Sequence, residues 1–239
     1  SALCSIDRVS ASANMNNRLS EAIVETYKST NGAPISFELM LKCYQSRMKD
    51  ANNDDSISSV LKQLVNAHIF ESEDKVSLID DSYIIKMDGY PKDGPIAKAI
   101  VYFLMSKLNN IYELLDKQAV NDEVVQIRHF SIIDEAHYML DFDNRPLRNL
   151  IAVGRNKGLS IILATQNMSS FKSKGFDFYA NAQYPLIMKQ QTIDDKVIKD
   201  LFGVSGQELQ EIRTAIAGLQ KGELIIKDQM AFALGMGNK

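Results

Sequence analysis

The sequence predicts an α/β protein with a mostly parallel sheet flanked by helices, and a small helical module ahead of it. Short apolar runs alternate with longer segments in which apolar residues recur at helical spacing. Two of the runs, Phe130–Ile133 and Leu159–Ala164, lead directly into polar residues. Continuous apolar runs of this length are typical of strands buried in a parallel sheet. The strand tips are therefore the expected place for a functional site.

Composition limits the possible classes of protein. The 239 residues are 45% apolar and 24% charged, which suits one large α/β domain or a domain with an insertion. With a net charge of −3, contact with nucleic acid would need a local basic patch. The two cysteines and three histidines are too scattered to predict a structural zinc site. No run approaches the roughly 20 apolar residues of a membrane span, and no signal peptide is visible, so we predict a cytoplasmic protein.

The first third of the chain is expected to be helical. Residues 1–16 are small and polar and are interpreted as a lead-in. Residues 17–82 form the predicted helical module, with helices at about 18–29, 37–49 and 57–67 and a short hairpin joining 69–70 to 76–78. The module is either a helical insertion in a larger domain or a small winged-helix-like unit. Lys62 is the only basic residue of its would-be recognition helix, which argues against phosphate contact.

The composition of an α/β core begins at residue 83 and continues to 239. The predicted strands lie at 83–87, 124–133, 159–164 and 184–188, with a final hairpin joining 224–226 to 230–233. The predicted helices lie at about 96–116, 145–156 and 194–202, with a helical turn at 177–181. Ser205 and Glu208 have capping-box spacing and open a last helix that extends to about residue 217.

Asp134 and Glu135 directly follow an apolar strand. A carboxylate in this position can hold Mg²⁺ through its water ligands, and a second carboxylate can orient an attacking water for nucleotide hydrolysis. The small Ala136 after the pair favours this interpretation. The alternative is a strand that simply ends in charged residues at the surface.

Polar residues also follow the next apolar run. Gln166 can hydrogen-bond a phosphate oxygen or an attacking water, and we assign Thr165 beside it to the nucleotide; a polar strand end leading into a loop is the alternative. Between the two strands, Arg145 and Arg148 fit a solvated basic face. Arg155 differs because it lies in Gly154–Gly158, an exposed corner from which a guanidinium could reach a neighbouring subunit's phosphate.

Three segments, SIIDEAHYML, GRNKGLSIILATQN and NAQYPLIMKQ, together resemble the HerA/FtsK group of RecA-like motors. That group includes hexameric DNA translocases and helicases and the ATPases of conjugation and type IV secretion. The tail, FGVSGQELQEIRTAIAGLQKGELII, resembles the closing helix and strand of the same group. The resemblance covers about residues 83–230. It does not explain the helical module, beyond its being an insertion of the kind these motors often have.

The resemblance implies separate roles for the polar residues. Asp134 corresponds to the Walker B aspartate that holds Mg²⁺ through water, and Glu135 to the catalytic base. Arg155, 20 positions after Glu135, corresponds to an arginine finger that acts on a neighbouring subunit's site. Gln166, a further 11 positions on, corresponds to the sensor. ATP and Mg²⁺ are thus the implied cofactors. DNA and the other subunits of a homo-oligomeric ring, a hexamer by the resemblance, are the implied partners.

The sequence departs from this group at the phosphate cradle. A P-loop needs glycines followed by Lys and Ser or Thr. Gly89 and Gly94 have the right separation, but Pro95 and Ile96 stand where Lys and Ser or Thr are required. Because the P-loop normally precedes Walker B, we expect this chain to start downstream of it. We therefore expect the chain alone to bind ATP very weakly or not at all and to be inactive.

The expected function is that of the C-terminal part of an ATP-driven DNA translocase or helicase, in DNA transfer or in restriction and defence. The insertion-bearing form loosely resembles large helicase-like proteins of phosphorothioation-dependent restriction. Lys172 and Lys174, just after the sensor strand, are the candidate DNA contacts, with a plain surface loop as the alternative. Two other functions stay open: a degenerate, non-catalytic ATPase-like scaffold, and a secretion-type ATPase that acts on protein.

Overall fold

The structure is a computed structural model, and it describes residues 10–31, 33–50, 53–69, 77–121, 124–173 and 176–227. The chain divides into two compact units. The first comprises Ser1–His129 and Asp141–Leu159, and the second comprises Phe130–Leu140 and Ser160–Lys239. The chain therefore passes from one unit to the other near the beginnings of two strands. Each unit has its own hydrophobic core.

The helices of the first unit are α1 (Ala13–Ser29), α2 (Phe37–Gln45), α3 (Ser56–Asn66), α4 (Pro95–Leu114) and α6 (Arg145–Val153). A short 3-10 helix, Gly154–Lys157, follows α6 directly. Side chains start several of these helices, because they accept hydrogen bonds from amides that the first turn leaves unpaired. Ser12 caps α1, Ser36 caps α2, and Asp55 forms a capping box with Ser58 on α3.

The core of the first unit joins the helical module to α4. Its buried side chains come from α1, α2, α3 and α4 and from Phe142, and the fully buried ones include Tyr44, Ile57 and Leu61. Burying a side chain of this size stabilises the fold by about 1.5–3 kcal/mol. The three N-terminal helices therefore share one core with the long helix that follows them.

A partly buried polar cluster ties the first three helices together. The Asp55 carboxylate accepts hydrogen bonds from the Arg18 guanidinium at 2.9 Å and from the Tyr44 hydroxyl at 2.7 Å. The Arg18 guanidinium also lies 5.4 Å from the centre of the Tyr44 ring. Burial, and then Asp55, raise the pKa of Tyr44 above its usual range, so the hydroxyl stays a donor.

The strands are short and pair two by two. They are β1 (Val120–Asn121), β2 (Val124–Val125), β3 (His129–Ile133), β4 (Leu159–Leu163), β5 (Lys172–Ser173), β6 (Phe176–Asp177), β7 (Leu186–Met188) and β8 (Leu224–Ile226). β1 with β2, β5 with β6 and β7 with β8 are antiparallel pairs. β3 pairs with β4. Gly158 O accepts from Arg128 N where both strands begin, and Ala164 N donates to Ile133 O where both end, so these two strands run parallel.

The second unit contains α5 (His137–Leu140), α7 (Phe178–Asn181), α8 (Asp195–Phe202) and α9 (Gly206–Gly218), with a 3-10 helix at Met168–Phe171. Its core packs α8 and α9 against β7 through Val197, Ile198, Leu201, Leu209, Ile216 and Ile187, with Met168. In the part of the chain that the structure describes, no helix is both long enough and apolar enough to cross a membrane.

Three expectations about secondary structure need correction. Tyr83–Met87 is not a strand: Ile84 is 89% exposed and the segment pairs with no described strand, so its β-forming residues lack a partner edge. The expected strand at 124–133 is interrupted at 126–128, where Arg128 N and His129 N both donate to Gly158 O. Ser205 precedes α9 but its side chain makes no capping hydrogen bond, because Gly206 has a positive φ of 59°.

One expectation about the end of the chain stays a prediction. Leu224–Ile226 does form a strand, and it pairs with Leu186–Met188. Residues 230–233, expected to complete a final hairpin with it, lie outside the described residues. The expected hairpin between 69–70 and 76–78 falls mostly outside them too, and Leu78 lies in a turn. The boundary expected at residue 83 stays a prediction.

Candidate functional site

The ends of β3 and β4 bring the predicted polar residues to one edge of the sheet. Beyond the strands, Ala164 N donates to Ile133 O at 2.9 Å and Ala136 N donates to Ala164 O at 2.8 Å. These two bonds hold the turn after β3 against the end of β4. Ala136 is completely buried there, which explains why a small residue follows the acidic pair. Asp134 and Glu135 therefore lie beside Thr165 and Gln166.

The backbone at Glu135 has an uncommon conformation. Its φ is 51°, in the left-handed region that residues with a side chain seldom adopt. Such a conformation costs of order 1–3 kcal/mol and persists where the surroundings hold it in place. Here Asp134 Oδ1 accepts a hydrogen bond from Glu135 N at 2.9 Å, which supports the turn. The strand has already ended at Ile133, so this turn, and not the strand, sets the direction of the Glu135 side chain.

The Glu135 side chain meets Gln166 from the neighbouring strand. Gln166 Nε2 donates to Glu135 Oε1 at 2.5 Å, a short contact for a hydrogen bond to a charged acceptor. Two residues that lie 31 positions apart in sequence are thus joined by their side chains. The Glu135 side chain is 25% exposed, so part of it contacts solvent.

Thr165 and His137 complete the arrangement around Glu135. Thr165 Oγ1 lies 3.3 Å from His137 Nδ1, and His137 Nδ1 lies 3.4 Å from Glu135 Oε2. Thr165 is one of the residues predicted for the site from the sequence, whereas His137 is not. The signal for His137 was its position two residues after Glu135, where a tight turn can direct both side chains to the same side.

Asp134 is exposed, and only its Oδ1 has a described hydrogen-bond partner. No group of three or more His, Cys, Asp or Glu side chains that could hold a metal exists among the described residues. The carboxylates at this edge of the sheet do not suit a cation whose ligands must all come from protein side chains. They do fit Mg²⁺, which is usually held by one or two carboxylates, several waters and the phosphates of a substrate.

The predicted Arg155 lies in the 3-10 helix after α6, in the first unit. Its side chain is exposed and makes no hydrogen bond or ion pair with any residue that the structure describes. Its neighbour Lys157 is held, since Lys157 Nζ donates to Tyr112 O at 2.6 Å and to Glu113 O at 2.9 Å. The 3-10 helix is thus held by its backbone and by Lys157. The guanidinium of Arg155 is not needed to hold it and can contact another group.

The two arginines of α6, Arg145 and Arg148, differ from each other. Arg148 forms an ion pair with Asp143. Arg145 is exposed and, like Arg155, has no side-chain partner among the described residues. The predicted solvated basic face therefore consists of one paired arginine and one free one.

Gly158 closes the corner that carries Arg155, and its replacement is expected to destabilise the protein. Its φ is 81°, and a Cβ added there would lie 2.7 Å from Gln126 O and 3.1 Å from Arg128 N. Gly203 also has a positive φ, 72°, but a Cβ there would meet nothing within 4 Å. We expect Gly203→Ala to lower the free energy of unfolding by about 1–2 kcal/mol through backbone strain alone. Gly158→Ala should lower the free energy of unfolding further, because the added Cβ also meets neighbouring atoms. Urea unfolding followed by circular dichroism compares the two variants. Equal losses of free energy of unfolding would contradict the close approach at Gly158.

The segment after Gln166 packs against α7. Tyr179 OH donates to Met168 O. Burial raises the pKa of Tyr179 above its usual range, and the negative charges of Asp194 and other nearby carboxylates raise it further. The Tyr179 hydroxyl therefore stays protonated and remains a donor. Of the two candidate DNA contacts, Lys172 lies in β5, whose backbone pairs with β6, and Lys174 lies outside the described residues.

Comparison with known proteins identifies a shared fold. No protein-family model and no curated protein sequence matches this chain. The solved structure of VirB4 of Thermoanaerobacter pseudethanolicus matches it with a TM-score of 0.68 at 17% sequence identity. The match covers 95% of this chain and 65% of that one, so this chain spans less than two thirds of the VirB4 chain. The predicted fold class, an α/β domain in which helices flank a parallel sheet, is confirmed.

Proposed function

We propose that this chain is the C-terminal part of a ring-forming ATPase related to the ATPases of conjugation and secretion, and that the intact protein moves DNA. The contact between Glu135 and Gln166 carries the proposal. It joins a candidate base to a candidate γ-phosphate sensor at the carboxyl ends of two adjacent parallel strands. Ligands of open α/β sheets bind at this edge. The fold shared with VirB4 gives independent support.

In the proposed reaction, Glu135 accepts a proton from the attacking water and Gln166 orients that water or a γ-phosphate oxygen. Asp134 contributes an exposed carboxylate that can hold Mg²⁺ through water. The metal, when bound, neutralises charge on the phosphate oxygens. Arg155 supplies a positive charge to the site of a neighbouring subunit, since its guanidinium has no described partner in its own chain.

The phosphate cradle is proposed to come from a segment that precedes this chain in the intact protein. Exposed apolar side chains on the strands of the second unit support this. Phe130 and Ile132 of β3 are 58% and 70% exposed, and Ile162 of β4 is 42% exposed. β7 and β8 expose further large apolar side chains: Leu186, Met188, Leu224 and Ile226. Two-stranded sheets are marginal by themselves, so further chain is needed to cover these faces.

Stimulation of ATP hydrolysis by DNA tests the choice of substrate. If the intact protein moves DNA, double-stranded DNA should raise its kcat severalfold, and the stimulation should weaken with added salt because phosphate contacts release counterions. A phosphate-release assay at low and high salt measures both effects. ATP hydrolysis that is indifferent to DNA would contradict a DNA motor and favour a secretion-type ATPase acting on protein.

A further inference from the structure

The two oxygens of the Glu135 carboxylate have different surroundings. Oε1 accepts the hydrogen bond from Gln166. Oε2 is shielded from solvent and accepts no hydrogen bond that meets normal geometry from the described residues. The nearest polar atom recorded for Oε2 is His137 Nδ1, at 3.4 Å. A buried carboxylate oxygen that accepts no hydrogen bond destabilises the fold. The group that faces Oε2 is therefore the candidate donor to it.

The position of the histidine proton follows from these neighbours. Nδ1 carries at most one proton, and it faces both Glu135 Oε2 and Thr165 Oγ1. If Nδ1 were bare, the Thr165 hydroxyl could donate to it, but its lone pair would face the buried carboxylate oxygen Oε2, which would still lack a donor. With the proton on Nδ1, the ring has a donor for the carboxylate, which is the stronger of the two acceptors. The Thr165 hydroxyl then limits the rotation of the imidazole ring from its other side.

We propose that His137 is a positioning residue that holds Oε2 of Glu135 through Nδ1–H and leaves Oε1 as the oxygen that takes the proton. This inference rests on the proposed function. When a γ-phosphate is bound, Gln166 turns from Oε1 towards the phosphate or the water. An O–H bond of the water then breaks and its proton moves to Oε1. The water oxygen forms a bond to the γ-phosphorus as the bond to the bridging oxygen of ADP breaks. Throughout the step, His137 keeps the carboxylate from rotating.

Two amide replacements at position 137 test this geometry in the intact ATPase. The amide nitrogen of Asn lies close to the place of Nδ1, whereas that of Gln lies close to the place of Nε2. We expect His137→Asn to keep most of the turnover. His137→Gln and His137→Leu should lower kcat by roughly 10–100-fold with KM unchanged, because the base is misplaced while ATP contacts stay intact. His129→Leu is the matched control, since His129 lies at the other end of β3 and packs edge-on against Tyr112.

The result can be separated from a failure of the proposed function. A fluorescent ATP analogue tests whether each variant binds nucleotide, and a thermal melt tests whether it is folded. If His137→Leu does not fold, the comparison of His137→Asn with His137→Gln still tests the positioning role. Full turnover in His137→Gln, alongside an inactive Glu135→Gln, would overturn the positioning role alone. Equal losses in Asn and Gln would overturn it too. Full turnover in Glu135→Gln would instead remove Glu135 as the base, and this inference with it.

Discussion

Glu135→Gln is expected to lower ATP turnover of the intact protein by roughly 10²–10⁴-fold, the usual contribution of a general base. Glutamine has nearly the same shape as glutamate and can still meet Gln166, but its amide cannot accept the proton of the attacking water. Binding of ATP should change little, because no role in holding the phosphates is assigned to Glu135. Steady-state phosphate release gives kcat, and calorimetric titration of the intact protein gives the affinity for ATP.

Glu208→Gln is the matched control for this replacement. Glu208 is also in the second unit and is exposed in the first turn of α9, so loss of its charge should leave turnover unchanged. The melting temperature adds a further check. The left-handed turn at Glu135 is held by backbone contacts and by Asp134, none of which the substitution removes. Turnover by Glu135→Gln at the wild-type rate would show that another group acts as base.

Much of the fold and part of the candidate site could be predicted from the sequence because they depend on local patterns. Helical spacing of apolar residues located the long helices, and the predicted start of the long helix near 96 agrees with α4 at Pro95–Leu114. Asp134 and Gln166 could be placed near each other because parallel strands end at one edge. This reasoning uses the spacing of apolar residues and the order of the strands along the chain, and both can be read from a sequence.

The rest depended on contacts that no local pattern contains. Tyr83–Met87 has strand-forming residues, but a strand also needs a partner edge, and none of the described strands offers it one. The role of Gly158 comes from the close approach of Gln126 O, a residue 32 positions earlier. His137 lies two residues after Glu135, but that spacing alone does not predict the left-handed turn at Glu135, after which the His137 ring faces Glu135 Oε2.

The exposed strand faces give the proposed incompleteness of the site a physical basis. A carboxylate pair and a sensor can activate and orient a water, but they offer no amides or lysine to hold phosphates. The strands that carry them leave large apolar side chains in water, Ile132 most of all at 70%. Both deficits would be met by one segment that adds to the sheet and carries the phosphate cradle.

Arg155→Ala is expected to lower turnover by about 10³-fold or more without unfolding the protein, which is the contribution of an arginine finger. The Arg155 side chain is exposed and has no described partner, so its removal breaks no contact within the subunit. Arg145→Ala is the matched control: Arg145 is another exposed, unpaired arginine, 10 residues earlier in the same region. Phosphate release and thermal melting of both variants separate a loss of chemistry from a loss of stability.

Mixing two inactive variants decides whether Arg155 acts on a neighbouring subunit. An Arg155→Ala subunit still has Glu135, and a Glu135→Gln subunit still has Arg155. If the arginine acts across the interface, a site on the first variant is complete when its neighbour is the second. In rings assembled at random from equal amounts, about a quarter of the interfaces meet this condition, so turnover should return although each variant alone is inactive. If Arg155 served its own subunit, every site would lack either the base or the arginine, and the mixture would stay inactive.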